Sequence, residues 1–168
     1  ENEFLRLEIE QNGELRIIDK KSDAVYSGLN RFIDDGETGD GWWHMAPNND
    51  VIINSFGTDA MIEKIADGPA KVSFRITKKL SLPKEYNEYT HMRSDERTVL
   101  LIVSEVTLKA DASNVEVLTE IENSVKDHRV RLKLPTQIKS DTYFAGQAFY
   151  CCERTTKIPT ENKKYYEE

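Results

Sequence analysis

Little in this sequence points toward a membrane or a nucleic acid. No apolar run approaches the roughly 20 residues that a helix needs to cross a bilayer, and no charged-then-apolar leader opens the chain, so a soluble protein with no membrane partner is expected. Positive charge is in deficit, with 23 Lys and Arg against 30 Asp and Glu and a net charge of −7. A surface of that average sign repels a phosphate backbone, and no nucleic acid is expected as a partner. Cysteine is nearly absent: only Cys151 and Cys152 occur, side by side. Neighbouring side chains in a strand point to opposite faces, which strains a mutual disulfide, and the pair reads as two buried free thiols in a reducing compartment.

Helical periodicity is missing as well. No stretch carries a 3.6-residue apolar period for more than two turns, and neither a fixed-period repeat nor a low-complexity tract occurs. Recognisable catalytic patterns are equally scarce. No serine lies in a Gly-x-Ser-x-Gly turn, and the glycines lack the Gly-Lys-Ser or Gly-Lys-Thr ending of a phosphate loop. His44, His91 and His128 are far apart, without the short spacings that seat a metal. A glycosidase would need two carboxylates about 5 to 9 Å apart, and sequence alone does not single out such a pair among 30 acids. The expectation is a chain with no catalytic residue, no metal ligand and no cofactor of its own.

Strand signals are what the chain does have. Leu5, Leu7 and Ile9 alternate with Arg6, Glu8 and Glu10, and the turn dipeptide Asn12-Gly13 leads into residues 14–18 as a hairpin. A short strand follows at 24–26. Residues 30–50 lose periodicity and read as a long loop. Strands are expected at 51–55 and 60–65, at 70–77 with an extension to Pro83, at 98–108, at 115–121 and at 143–150. At 168 residues these fill one core, so residues 1–168 read as a single all-β domain, an antiparallel β-sandwich.

Three places could carry chemistry. Arg129, Arg131 and Lys133 share one face of a strand, and the expected partners are Glu116, Glu120 and Glu122 on the preceding strand, set opposite them across a hairpin. Asp127 and His128 sit at the turn, where an Asp accepting backbone N–H groups is the ordinary role. The segment Asp34-Asp-Gly-Glu-Thr-Gly-Asp-Gly-Trp-Trp-His-Met-Ala-Pro47 is the best functional candidate. Long aperiodic loops in compact domains are often functional, and a Trp face can stack on the apolar side of a sugar ring. Asp40, Trp42, Trp43 and His44 are the candidate substrate-binding residues; packing of the two tryptophans at an interface is the competing reading. Asp34, Asp35, Glu37 and Asp40 do not follow the calcium-loop pattern.

Several motifs in order carry a resemblance. They are the opening Glu1-Asn-Glu-Phe-Leu-Arg-Leu-Glu-Ile-Glu-Gln-Asn-Gly-Glu-Leu15, then Asp19-Lys-Lys-Ser22, Tyr26-Ser-Gly-Leu-Asn30, Asp35-Gly-Glu-Thr-Gly-Asp40 and Lys126-Asp-His-Arg129 with its following Pro135-Thr136. Together the sequence resembles the β region after the catalytic domain of bacterial glycoside hydrolase family 38 α-mannosidases, mannosylglycerate hydrolases among them. The resemblance implies a fold similar to a galactose mutarotase-like supersandwich, excised from a larger cytoplasmic enzyme. It implies that the chain packs on its own N-terminal catalytic domain and sends a loop toward the α-mannoside substrate. That domain would hold the Asp nucleophile and a Zn ion, with no matching position here. Relatives usually place a Tyr where this chain has Gly41-Trp42-Trp43-His44. Edges left uncovered in the isolated piece would be open to self-association.

Overall fold

The computed structural model describes residues 1–40 and 42–157. Among them there is no α-helix. The strands are β1 (Leu5–Ile9), β2 (Leu15–Asp19), β3 (Val25–Leu29), β4 (Arg31–Gly36), β5 (Ile53–Asn54), β6 (Met61–Asp67), β7 (Lys71–Pro83), β8 (Tyr86–Asn87), β9 (Met92–Arg93), β10 (Arg97–Lys109), β11 (Glu116–Glu122), β12 (His128–Lys133), β13 (Thr142–Gly146) and β14 (Cys151–Thr155). A single 3-10 turn, Ser55–Gly57, follows β5. All strand pairings are antiparallel, as the alternating pattern and short turns require.

One layer is the sheet β11-β10-β7-β6, built on the two longest strands. Even-numbered residues of β7 and β10 point inward, and Ile76, Leu80, Leu82, Leu100, Ile102 and Val106 are fully buried there. Two three-stranded sheets cover that face. The sheet β12-β4-β5 contributes Phe32, with Ile53 and Val130, to a cluster with Leu80, Leu82, Leu100, Ile102 and Val125. The sheet β1-β2-β3 contributes Leu15, with Leu7, Ile9 and Leu29, to a cluster with Ile76 and Val106. The result is an antiparallel sandwich. Gly13, at φ +74°, closes the β1-β2 hairpin against this layer; a Cβ there would lie 2.5 Å from Ile76 Cγ2, so the Asn12-Gly13 turn serves packing as well as chain reversal.

Between the two apolar clusters lies a polar seam. Lys78 is 1% exposed and donates its ammonium to the Asn30 carbonyl at 2.7 Å, while Asn30 Nδ2 donates to Gly13 O and Ser104 Oγ donates to Asn30 Oδ1. Burial pulls the Lys78 ammonium down to about 8; the nearby Glu14 carboxylate opposes this and Arg31 adds to it. The folded state therefore binds fewer protons than the unfolded chain between that value and the ordinary 10.5, and stability rises with pH across the window. Urea unfolding from pH 8 to 10.5 should show the wild type gaining up to about 3 kcal/mol relative to Lys78→Met. Parallel pH profiles for the two proteins would contradict this.

The expected strands at 5–9, 14–18, 24–26, 60–65, 70–83, 98–108 and 115–121 are present within a few residues. Four expectations are corrected. Residues 30–50 are not one loop, because 31–36 form β4. Its two acids and glycine mask the alternation, yet Phe32 and Asp34 both point inward and are buried. The expected strand at 51–55 shrinks to Ile53–Asn54, since Ser55 opens the 3-10 turn and its buried hydroxyl accepts the Phe32 N–H at 3.0 Å. The segment 143–150 is not one strand: β13 turns through 147–150 into β14. Among the described residues that hairpin pairs only with itself, and Cys151 is exposed and Cys152 half-buried rather than both being core thiols.

Candidate functional site

The expected hairpin of β12 with β11 is corrected as well. β12 does not form a hairpin with β11, which instead returns along β10. Residues 123–127 cross to the other layer, anchored by buried Val125, and β12 pairs with β4, so that Arg129 stands opposite Asp35 and Val130 opposite Asp34. Arg129, Arg131 and Lys133 therefore face β4 residues and not Glu116, Glu120 and Glu122. The acid-base pairing across strands is real, but its acid is Asp35.

Successive carboxylates of β4 point to opposite faces, and each finds its own cations. On the inner face, Asp34 is wholly buried. Its Oδ1 accepts Arg93 Nη2 at 2.5 Å, and its Oδ2 lies 2.5 Å from His128 Nδ1. The His128 ring reaches Asn123 Oδ1 at 3.0 Å on its other side. Arg93 also sits 3.8 Å from Asp50, whose second oxygen accepts the Gly36 N–H at 2.9 Å. On the outer face, Asp35 accepts Arg129 Nη2 at 2.7 Å and Arg131 Nη2 at 3.0 Å, with His44 Nε2 3.9 Å away.

This charged pair of faces is the floor for the candidate loop. Thr38 donates from both its N–H and its hydroxyl to Met45 O, closing the loop at its base. Glu37 fills the middle: Oε1 accepts the N–H groups of Gly39 and Met45 at 2.8 and 3.0 Å, and Oε2 lies 2.5 Å from His44 Nδ1. Burial pushes the Glu37 carboxyl up, but the Met45 N–H, His44 and the Gly39 N–H together outweigh it and leave the group below the usual glutamate value. Asp40 Oδ1 accepts the N–H groups of Trp42 and Trp43 at 2.8 and 3.0 Å. Gly39 leaves no room for a side chain, since a Cβ would stand 1.8 Å from Trp43 O. Gly36 is similarly closed in by Pro47.

The four candidates thus have different places. Trp42 is 89% exposed and Trp43 52% exposed, so both side chains reach solvent. Asp40 shapes their backbone turn, and His44 points inward as a strut between Glu37 and Asp35. Asp127, at φ +52°, accepts the Tyr86 N–H on Oδ2 and the Glu37 N–H on its carbonyl, the turn role expected of it. Arg93 and Asp50 were not legible as site residues. They lie 43 positions apart (93 − 50) in a two-residue strand and a loop, with no local pattern to mark them.

The arrangement does not suit a zinc ion. Among the described residues no three His, Cys, Asp or Glu side chains converge as a metal site. The Nδ1 atoms of His44 and His128 face carboxylates, and Arg93, Arg129 and Arg131 supply the positive charge instead. What the geometry offers is a charge-braced, hydrogen-bonded platform carrying two exposed aromatic rings.

The described residues form an all-β sandwich that presents two exposed tryptophans on a hydrogen-bonded loop. The model of the glycosyl hydrolases family 38 C-terminal domain matches residues 1–168, and the chain belongs to that family. It is 27% identical to a Halalkalibacterium halodurans protein named "Putative mannosylglycerate hydrolase", covering 92% of this chain and 19% of that one. It superposes on an α-mannosidase from Enterococcus faecalis V583 with a TM-score of 0.88 and 28% identity, over 95% of this chain and 20% of that one. A second solved structure, of a protein in glycosyl hydrolase family 38 from Enterococcus faecalis, gives a TM-score of 0.86 and 29% identity over 92% of this chain. The chain spans about a fifth of the length of each.

Proposed function

We propose that this chain is the non-catalytic β-sandwich of a retaining α-mannosidase, packed on that enzyme's own catalytic domain and holding the 37–45 loop beside the α-mannoside cleft. The observation that carries this reading is the contrast within the loop. Its backbone is braced by Glu37, Thr38 and Asp40, while Trp42 and Trp43 are left facing solvent. A rigid mount for exposed aromatics is how a protein places a stacking surface without a large ordering cost. In this reading the nucleophile and the Zn ion belong to the catalytic domain, the enzyme is cytoplasmic, and Asp40 and His44 position the two tryptophans. The purified 168-residue chain should not hydrolyse an aryl α-mannoside. Turnover above a buffer blank, retained after repurification, would contradict the proposal.

The exposure of Trp42 supports a second reading, a carbohydrate-binding module that acts without chemistry. Calorimetric titration of the chain with mannose and mannobiose separates the two. Saturable heat that vanishes in Trp42→Ala favours a binding module. Absence of heat, with loss of substrate affinity only when the loop is altered in the longer enzyme, favours the accessory role.

A further inference from the structure

Three segments distant in sequence meet at the β1-β2 turn and enclose a groove of about 420 Å³. Its walls include Glu10 and Gln11 from the turn, Ser27 and Gly28 from β3, and Phe56 and Asp59 from the stretch between β5 and β6. Small-molecule sites occupy roughly 300–1,000 Å³, and the groove falls within that range. None of its lining residues belongs to the 37–45 loop.

The aromatic wall is fixed in place. Asn54 Oδ1 accepts the Phe56 N–H at 3.0 Å, and Asn12 Nδ2 donates to the Phe56 carbonyl at 3.2 Å. The Ala60 N–H donates to Gln11 O, so the 3-10 turn is tied to the hairpin both at the ring and beyond it. The Arg31 guanidinium lies 4.8 Å from the ring centroid and is itself held by both carboxylate oxygens of Glu14. Yet Phe56 is 58% exposed. A phenyl ring held by its surroundings and still mostly in water leaves a stacking surface uncovered.

The polar groups of the groove divide into paired and unpaired. Glu14 is committed to Arg31, and Arg16 to Glu8. Among the described residues, the side chains of Glu10, Gln11, Ser27 and Asp59 have no hydrogen-bond or ion-pair partner. Two carboxylates, an amide and a hydroxyl beside an aromatic ring suit a hydroxyl-rich ligand. The carboxylates accept from its hydroxyls, the amide both donates and accepts, and the ring takes the apolar side of a sugar. Charge narrows the choice. The unpaired Glu10 and Asp59 repel a phosphate, a sulfate or a uronate, and the attraction of the Phe56 ring for a cation is already taken by Arg31.

We infer that this groove is a second saccharide site, separate from the tryptophan loop, that takes a neutral α-mannosyl unit of a longer chain. The groove's own groups select a neutral sugar; mannose in particular rests on the reading of the parent enzyme as an α-mannosidase.

Affinity electrophoresis of the full-length enzyme, through gels with and without soluble α-mannan, tests the inference. The background is Trp42→Ala with Trp43→Ala, so that the loop's rings contribute nothing. Phe56→Ala removes the ring, and Asp59→Ala removes a side chain with no partner in the chain, so the second variant keeps the fold intact if the first does not. Each should weaken the mannan-dependent retardation by about three- to tenfold, with kcat and KM on a small aryl α-mannoside unchanged from the background. Equal retardation of the background and both variants would overturn the inference. So would saturable calorimetric binding of spermine that disappears in Asp59→Ala while mannan retardation stays the same, since the groove would then be a cation site. Failure of the loop's assigned role would leave this result unaffected. Failure of the α-mannosidase reading would show separately, as absence of turnover by the wild-type enzyme.

Discussion

Asp34→Ala is expected to destabilise the domain by about 3–5 kcal/mol in urea unfolding, the largest single-site effect anticipated here. The carboxylate is wholly buried and is bonded to both Arg93 and His128, so its removal leaves the Arg93 guanidinium, whose side chain is only 7% exposed, without its hydrogen-bonded counterion and with the Asp50 carboxylate no nearer than 3.8 Å. Such a loss exceeds the net worth of the pair, because the orphaned cation keeps its full desolvation cost. The double variant Asp34→Leu with Arg93→Met should therefore be less destabilised than the single one. Equal or additive losses would show that the ion pair does not act as a unit.

Gly39→Ala should act on function far more than on stability. Its Cβ would meet the Trp43 carbonyl at 1.8 Å, a backbone contact that no side-chain rotation relieves, so the Glu37-centred loop has to open. None of the loop's described residues belongs to either apolar cluster, and the melting temperature should barely move. In the full-length enzyme, displacement of the aromatic platform should lower kcat/KM toward an α-mannoside by up to roughly tenfold, the loss expected if both rings no longer stack on the sugar. Unchanged kinetics would mean that the loop's shape is irrelevant to the substrate.

Reading the chain without coordinates recovers those strands whose partners are close in sequence. β1 and β2 share a tight turn, and β7 and β10 alternate over 13 residues each, so period and turn chemistry suffice. β4 is hidden for a physical reason. A strand bearing Asp34, Asp35 and Gly36 looks like a loop until Arg93, Arg129 and Arg131 arrive to neutralise it and His128 to hydrogen-bond it, and His128 comes from 94 positions away. Local pairing rules then assigned the basic row of β12 to the nearest acids, on β11, when a layer change at Val125 had removed them from reach. The general burial tendency of Cys fails at Cys151 because, among the described residues, the β13-β14 hairpin pairs with no other strand. In the loop itself, the aromatic and acidic residues were legible as a candidate, but their division of labour was not. Only coordinates separate Trp42 and Trp43, which face outward, from His44, which braces the loop from within.

The account turns on whether those two exposed rings meet the sugar. Steady-state kinetics of the full-length enzyme carrying Trp42→Ala with Trp43→Ala, on an α-mannoside, tests it most directly. Loss of a stacking surface held on an intact frame should lower kcat/KM by roughly three- to tenfold, chiefly through KM, with the fold's melting temperature unchanged. Kinetic constants identical to those of the wild type would contradict it and leave the tryptophans as interface packing alone.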